Sequence, residues 1–560
     1  MTERRKLELA VPGMSCATCP DHVERALRSV AGVEDVQIPG WKSKIAEVTV
    51  ASQVNDEDLL TAVRDVGYPA SVVTSQTIDP EVIKDDVTGS NADGRKDFDL
   101  IVIGGGSAGF AAAIKGIDLG ARVAMVEANT IGGTCVNVGC VPSKTLIQVA
   151  NAWHSAEHHP FKGANTKQSD LDWSTIRSEK DALVADMRQS KYIDVLDAYP
   201  EITFIEGYAT FRADRSISVG KDVYQANRYV ITAGAQPNMV AFSGVEEAQP
   251  LNSTTVMDLE QLPKSIIILG GRAIALELGQ TLARLGVEVL ILQRSTRLVP
   301  DHEPRIGREI KDIFEHEGIG VITGAQVERI ERDGQTRIVH ASVMGGTREF
   351  RADQVLMALG RKPNTAGMGL ENMDVELDER GAIVVDEYLQ SSNPKIFAAG
   401  DVTQHPEFVY VAAAGGSKAT QNAISDTKVP MDLSLVPSVI FTEPQIATVG
   451  MTEAEAKRQG HEVRVTSLDL EHVARAKAER NTEGFIRLIA DENTNRLLGA
   501  HILAPAAGEV IQTATLAIKF GLTIKDLADS LFPYLTQVEG LRLAALSFDK
   551  DVALLSCCAA

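Results

Sequence analysis

No stretch of this chain approaches the ~18 consecutive apolar residues that span a bilayer. Its N-terminus, MTERRKLELAVPGMSC, lacks the apolar core and small-residue cleavage site of an export signal. Basic residues are in short supply too: 55 Lys and Arg stand against 76 Asp and Glu, a formal charge of −21. That balance disfavours nucleic acid or an anionic membrane as the main partner. Cysteine is scarce, at six in 560 residues. With no export signal the expected compartment is the reducing cytoplasm, where paired thiols more often do chemistry or bind metal than staple a fold.

The cysteines present come as three close pairs, Cys16/Cys19, Cys135/Cys140 and Cys557/Cys558. Thiols needed only as small apolar core residues would be scattered singly, so the pairing argues for dithiol chemistry with electrons or a soft metal ion as cargo. A chain of 560 residues exceeds one core, and roughly 150 residues per domain suggests about four units. Its 44% apolar and 23% charged residues describe a soluble globular protein.

Residues 1–73 read as one small unit. Leu7, Leu9 and Val11 alternate as a strand, and Asp21 to Val30 carries Val23, Ala26, Leu27 and Val30 at helical spacing. Strands follow at Val33 to Pro39 and Ile45 to Val50, a helix at Asp56 to Val66, and a last strand at Ala70 to Val73. This βαββαβ order is ferredoxin-like. Residues 74–96 are polar and read as a flexible linker. GMSCATC sits between the first strand and first helix, where the helix dipole favours thiolate. A lone CxxC is open to half a zinc site or a redox pair; no second CxxC or His pair completes a tetrahedral zinc site here. With Gly13-Met14 before Cys16 and Cys19, the unit resembles the heavy-metal-associated domain of soft-metal chaperones and transport ATPases, which implies two-thiolate metal capture by those cysteines.

The next segment, DLIVIGGGSAGFAAAIKGIDLGARVAMVE, joins a buried strand, Gly104-x-Gly106-x-x-Gly109, a helix and a strand ending at Glu127. The glycines allow a tight turn and close approach of a pyrophosphate to the helix N-terminus, and the terminal acid can bind a ribose. A second unit, SIIILGGRAIALELGQ, keeps Gly270, puts Arg272 at the middle glycine position and Ala275 at the third. Arg272 crowds a pyrophosphate or contacts it. Its second strand ends in Gln293-Arg294, with Arg297 close by and no acid, which favours the 2′-phosphate of NADPH over NADH.

Between these units, GGTCVNVGCVPSK at 132–144 resembles the redox-active disulfide of the flavoprotein disulfide reductases, the family of glutathione reductase and dihydrolipoamide dehydrogenase. TAGAQP at 232–237, ALGRKPN at 358–364 and IFAAGDV at 396–402 follow in that family's order. The resemblance covers residues 97–560. It implies an α/β fold of two Rossmann-like dinucleotide-binding domains plus an α+β dimerisation domain, after the small ferredoxin-like domain. The expected segments are FAD-binding at 97–240 and 366–430, NADPH-binding at 241–365, and dimerisation at 431–560 with a Cys-Cys tail.

By the same resemblance Cys140 is the thiolate against the flavin and Cys135 the exchanging sulfur, with a structural disulfide as the bland alternative. Pro142 suits a first helical turn, so a helix should start close to Cys140 and depress its pKa. Lys144 matches the lysine beside the flavin, Glu277 its acid, and Asp401 the residue on the ribityl chain; Thr134, Ala209 and Val409 complete the FAD set.

At the C-terminus the pattern departs from ordinary disulfide reductases, which place a His-Pro motif there to protonate a leaving thiolate. LFPYLTQVEG puts Phe532 where that histidine should stand and Tyr534 just beyond, and SFDKDVALLSCCAA adds a vicinal pair. This set, with the metal-binding appendage, resembles the mercuric reductases of that family. It implies reduction of thiol-bound Hg(II) to Hg(0), a homodimer in which Cys557/Cys558 serve the partner's site, hand-off from a mercury transporter, and Tyr192 and Tyr534 lining the metal site, with ordinary packing aromatics as their alternative. Two readings stay open beside it: a dihydrolipoamide dehydrogenase or glutathione reductase type enzyme with a metal-binding appendage, and a metal buffer with an idle flavin fold.

Overall fold

The computed structural model describes residues 4–12, 14, 19–38, 44–51, 53–78 and 96–554. They fall in two compact units, residues 1–90 and 91–560. In the first, β1 (Arg4–Ala10), α1 (Cys19–Arg28), β2 (Val33–Gln37), β3 (Ile45–Ala51), α2 (Asp56–Asp65) and β4 (Ser71–Ile78) make an antiparallel sheet of order β2-β3-β1-β4. That is the ferredoxin-like arrangement. Alternation decides the faces: Ala46, Val48 and Val50 of β3 are buried with Leu7 and Leu9 of β1. Asn55 caps α2 by accepting from the Glu57 N–H. One boundary differs from the sequence reading. The last strand runs on to Ile78 because β1 offers a full ladder, Arg4 facing Ile78, and backbone pairing carries a polar edge strand that apolar alternation does not reveal. Most of the expected linker lies outside the described residues.

The second unit opens with β5 (Lys96–Ile103), α3 (Ser107–Asp118), β6 (Val123–Glu127), α4 (Gly133–Asn137), α5 (Cys140–Ser155) and α6 (Trp173–Arg188). With β7 (Ile202–Glu206), β8 (Ala209–Phe211), β9 (Ile217–Val219) and β10 (Asp222–Ile231), the first sheet has the order β7-β6-β5-β10-β9-β8, and Ile396–Ala398 joins it at β10. The strands from β7 to β10 run parallel with both faces covered, which is why Leu100–Val102 and Val123–Val126 are continuous apolar runs rather than alternating ones.

A second parallel sheet comprises Gly320–Thr323, Glu288–Gln293, Ser265–Leu269 and Gln354–Met357, in that order, with the helix Ala273–Arg284 following its central strand. An antiparallel ribbon, Gln326–Asp333, Thr336–Val343 and Gly346–Ala352, flanks it. The chain then returns to the first sheet and ends in a five-stranded antiparallel sheet covered by Ala507–Lys519 and Glu539–Leu546. Among the described residues no helix is long and apolar enough to cross a membrane.

Candidate active site

Each strand-to-helix turn is set by glycine. Gly104 has φ +117°, and a methyl on Gly109 would be driven into the Gly104 carbonyl, so only glycine lets α3 start this close to β5. Gly106, in extended conformation, caps α3. Against it lies the backbone of Gly133, where an added Cβ would come within 2.8 Å of Gly106 Cα. That contact draws the dithiol loop over the first nucleotide turn. Asn137 holds the loop in shape, donating to the Ile131 and Gly133 carbonyls at 3.0 and 2.9 Å and accepting from Arg188 Nε at 2.6 Å.

Cys140 is the first residue of α5, capped by Gly139. The structure carries both cysteines as thiols. The S–H of Cys135 is donated to Cys140, which brings Cys140 down to about 7; Lys144 works in the same direction against the opposing effect of burial. Cys135 is pushed up, first by the proton it shares with Cys140 and then by burial. The helix start falls where Pro142 predicts, yet the largest cause of the low Cys140 value is its partner sulfur rather than the dipole. Lys144, one turn along α5, donates to Glu277 Oε2 at 2.6 Å. Glu277 Oε1 accepts from the Phe441 N–H at 2.9 Å, and the Lys144 ammonium lies 4.7 Å from the Phe441 ring centre.

Tyr192 is 8% exposed, on a π-helical turn, Gln189–Ile193, that follows α6; such bulges redirect a side chain at functional sites. Its hydroxyl is 3.0 Å from Ser107 Oγ and its ring packs edge-on against Phe110. Burial raises its phenol pKa, and the two cysteines add to the rise. Tyr534 is 48% exposed on the loop before Glu539–Leu546, which also carries Leu531 at 99%, while Phe532 packs against the dimerisation core.

Glu127 has both oxygens occupied, Oε2 by the Gly105 N–H at 2.6 Å and Oε1 by the Asn129 N–H at 2.7 Å. The carboxylate thus shapes the turn as well as facing a cavity of about 440 Å³ lined by Glu127, Asn129, Ala209 and Asn364 among others. Thr134 and Asp401 are bridged by one residue the motifs left unassigned. Arg361 lies 3.4 Å from Thr134 Oγ1, 3.5 Å from Asp401 and 3.5 Å from Glu407, and also donates to the Ala235 carbonyl. Its Nε is buried and is the atom that faces Glu407, at ion-pair distance but without a hydrogen bond of good geometry among the described residues. Burial raises the Asp401 carboxyl and Arg361 opposes it. Val409 opens the helix Val409–Ile424.

In the second turn Gly270 has φ +121°, Ala275 is buried in the helix Ala273–Arg284, and Gln293 stands where Glu127 stands in the first. Arg294 is exposed. Arg297 Nη2 donates to the Pro300 and His302 carbonyls, so that end of the guanidinium clamps its own loop. In the first unit Cys19 opens α1, though its side chain, and all of Cys16, Cys557 and Cys558, lie outside the described residues. Met14 is 1% exposed, in the core of the first unit. No group of three or more His, Cys, Asp or Glu among the described residues is arranged to hold a metal.

Residues 98–416 match the model of the pyridine nucleotide-disulphide oxidoreductases, 436–545 that family's dimerisation domain, and 8–69 the heavy-metal-associated domain. A mercuric reductase of Bacillus cereus is 41% identical over 99% of this chain and 87% of that protein. The chain belongs to the mercuric reductase branch of the pyridine nucleotide-disulphide oxidoreductases. Another mercuric reductase, from Streptomyces lividans, is 44% identical over 82% of this chain and 98% of its own length. Among solved structures, the Cu(II) complex of an HOCl-induced flavoprotein disulfide reductase from Escherichia coli has a TM-score of 0.73 and 30% identity, covering 81% of this chain and all of that one.

As a pyridine nucleotide-disulphide oxidoreductase the chain is a homodimeric, metal-handling flavoenzyme with FAD and NADPH as cofactors. Its residues fit both groups. The first turn offers bare glycine backbone at a helix N-terminus, an adenosine-sized cavity beside Glu127 and the Arg361 guanidinium 3.5 Å from Asp401. The second offers a helix N-terminus with Arg272 and Arg294.

Proposed function

We propose that this enzyme reduces cytoplasmic thiol-bound Hg(II) to Hg(0), with Cys135 and Cys140 holding the ion. The observation that carries the reading is the dithiol itself: one sulfur is brought to about 7 beside Lys144, in a chain that has Phe532 in place of a histidine acid. Hg(II) is a soft d10 ion that prefers two thiolates in a line, so it exchanges among dithiols with little change in free energy. Cys140, ionised near neutral pH, displaces one thiolate of the incoming complex. Cys135, the exchanging sulfur, displaces the other and gives its proton to that departing thiolate. The buried phenol of Tyr192 and the paired Lys144–Glu277 add no free anionic ligand, and an ion held by only two sulfurs is easier to reduce than one with three.

FAD and NADPH, when bound, supply the two electrons, for a balance of NADPH plus Hg(II) giving NADP⁺, H⁺ and Hg(0). Neutral Hg(0) has little affinity for thiolate, so the product leaves. In the fuller proposal, Cys16 and Cys19 collect the ion, a mercury transporter being its source, and Cys557 and Cys558 of the partner subunit pass it inward, where Tyr534 lines the entrance.

The test is NADPH oxidation in excess thiol with and without Hg(II), with vapour collected. Hg(II)-dependent oxidation and one Hg(0) per NADPH are expected; oxidation at one pace regardless of mercury, with no vapour, would overturn the reading.

A further inference from the structure

Arg272 occupies the glycine position that caps the helix Ala273–Arg284, with φ −112° and ψ −171°. Gly106 has nearly the same backbone, φ −90° and ψ −168°, at the corresponding place in the first turn. The difference lies in what covers them. A Cβ on Gly106 would face Gly133 Cα at 3.4 Å, because the dithiol loop sits there. No such loop crosses Arg272, whose side chain is 62% exposed. An arginine therefore fits without strain, and it places a full positive charge where a 12-residue helix already presents its positive end.

That charge has a partner. Arg272 and Asp301 form a two-pronged ion pair, with Nη2 3.2 Å from Oδ1 and Nη1 on Oδ2. Asp301 is held in place by its neighbours. Arg297 donates to the carbonyls on either side of it, those of Pro300 and His302. One residue further, Glu303 is buried and accepts from the Glu453 N–H at 2.9 Å, which anchors the loop to the dimerisation domain.

We propose that Asp301 is a built-in counter-anion that holds Arg272 until the diphosphate of the pyridine nucleotide displaces it, so that Arg272 is a phosphate-binding residue of this site and Asp301 tunes its affinity. The inference rests on the assignment of NADPH to the second turn. A carboxylate and a phosphate compete for the same guanidinium fork, and the phosphate has the helix N-terminus in its favour. The pair is well exposed, so its own strength is modest and the nucleotide can break it.

The experiment is titration of the FAD-loaded enzyme with NADP⁺ and NAD⁺, read as protein fluorescence or heat, for the parent, D301N, R272S and the double variant. D301N should tighten both nucleotides by about three- to fivefold, the strength of an exposed ion pair. R272S should weaken both by about tenfold, and the double variant should behave as R272S. Equal loss of NAD⁺ and NADP⁺ places Arg272 on the shared diphosphate; loss of NADP⁺ alone would overturn that placement. An R272S enzyme that binds as well as the parent or better would mean that the side chain only crowds the turn, and an unchanged D301N would remove the counter-anion. A parent that binds neither nucleotide would overturn the assignment of the second turn itself, and this proposal with it.

Discussion

Glu277 bridges two elements far apart in sequence: one oxygen takes the Lys144 ammonium at 2.6 Å and the other the Phe441 N–H at 2.9 Å. Its side chain is 8% exposed against 34% for Lys144. The acid is thus the fixed member and the lysine the one it aims. Changing Glu277 to Gln preserves an acceptor for Phe441 and removes the charge that holds Lys144. Flavin reduction by NADPH should slow by about ten- to thirtyfold, about 1.4–2 kcal/mol, with FAD retained. Glu277→Ala also removes the acceptor of a part-buried N–H and should lower stability by a further ~1 kcal/mol. Stopped-flow flavin absorbance and thermal denaturation separate the two; parental rates in E277Q would remove Lys144 positioning from the mechanism.

The Cys140 value of about 7 depends first on Cys135. Alkylation of the reduced enzyme by iodoacetamide should therefore rise with pH through a midpoint near 7. Cys135→Ala takes away the donated S–H, and the midpoint should move up toward the ordinary thiol value of 9.0. Lys144→Met should move it the same way by less, since Lys144 is the smaller cause. The sign follows from each group favouring thiolate over thiol. A C135A midpoint at or below that of the parent would contradict it.

Local patterns made much of this readable. The βαββαβ unit follows from apolar alternation and helical spacing, and both dinucleotide turns follow from glycine placement after buried strands. The pairing of Lys144 with Glu277 came from motif resemblance, since nothing local links residues 133 apart. What stayed hidden were contacts between segments. Asn137 on Arg188, Gly133 against Gly106 and Arg361 between Thr134 and Asp401 leave no period or spacing to read. Arg297 was legible only as a cation near the end of its strand; that backbone carbonyls take one end of it comes from the turn of its loop.

His302 lies where the second nucleotide domain meets the dimerisation domain, facing His501, Arg272 and Arg297, and burial with these neighbours lowers its pKa to about 4. Its Nδ1 and that of His501 are buried without a hydrogen bond among the described residues. Around His501 stand Glu303, Glu455 and Arg487. A histidine depressed from 6.5 binds a proton in the unfolded state before the folded one does. Its contribution is therefore complete above pH 6.5, is lost as pH falls from there toward 4, and is flat below. The thermal midpoint should drop across that window, and His302→Asn should flatten the drop. An unchanged slope in H302N would assign the acid sensitivity to other groups.

The tail cysteines act, in this proposal, only on delivery. Cys557→Ala with Cys558→Ala should cut reduction of Hg(II) presented on a bulky dithiol by about tenfold or more, a loss of ~1.4 kcal/mol in transition-state terms. Flavin reduction by NADPH should stay at the parental rate. Equal turnover of bulky and small thiol complexes by the variant would take the tail out of the route.

Residues 1–90 and 91–560 are separate units, and each carries its own core: Leu7, Leu9, Val23, Val48 and Leu59 in the first, and the clusters about β5, the second parallel sheet and the C-terminal sheet in the other. A unit that buries its own apolar surface does not need its neighbour to fold. The place of the cut matters, because Lys96 already pairs with Tyr224 in the ladder between β5 and β10; a deletion that reached it would fray the strand leading to Gly104. Removing residues 1–90 should leave an enzyme that keeps FAD, unfolds within a few degrees of the parent and reduces Hg(II) in excess small thiol at a rate within about twofold. What should fall is capture at low Hg(II) against competing thiols, where two extra thiolates per chain raise the local concentration of the ion. Loss of FAD on truncation would show that the first unit supports the second; equal capture at limiting Hg(II) would leave Cys16 and Cys19 without a part in delivery.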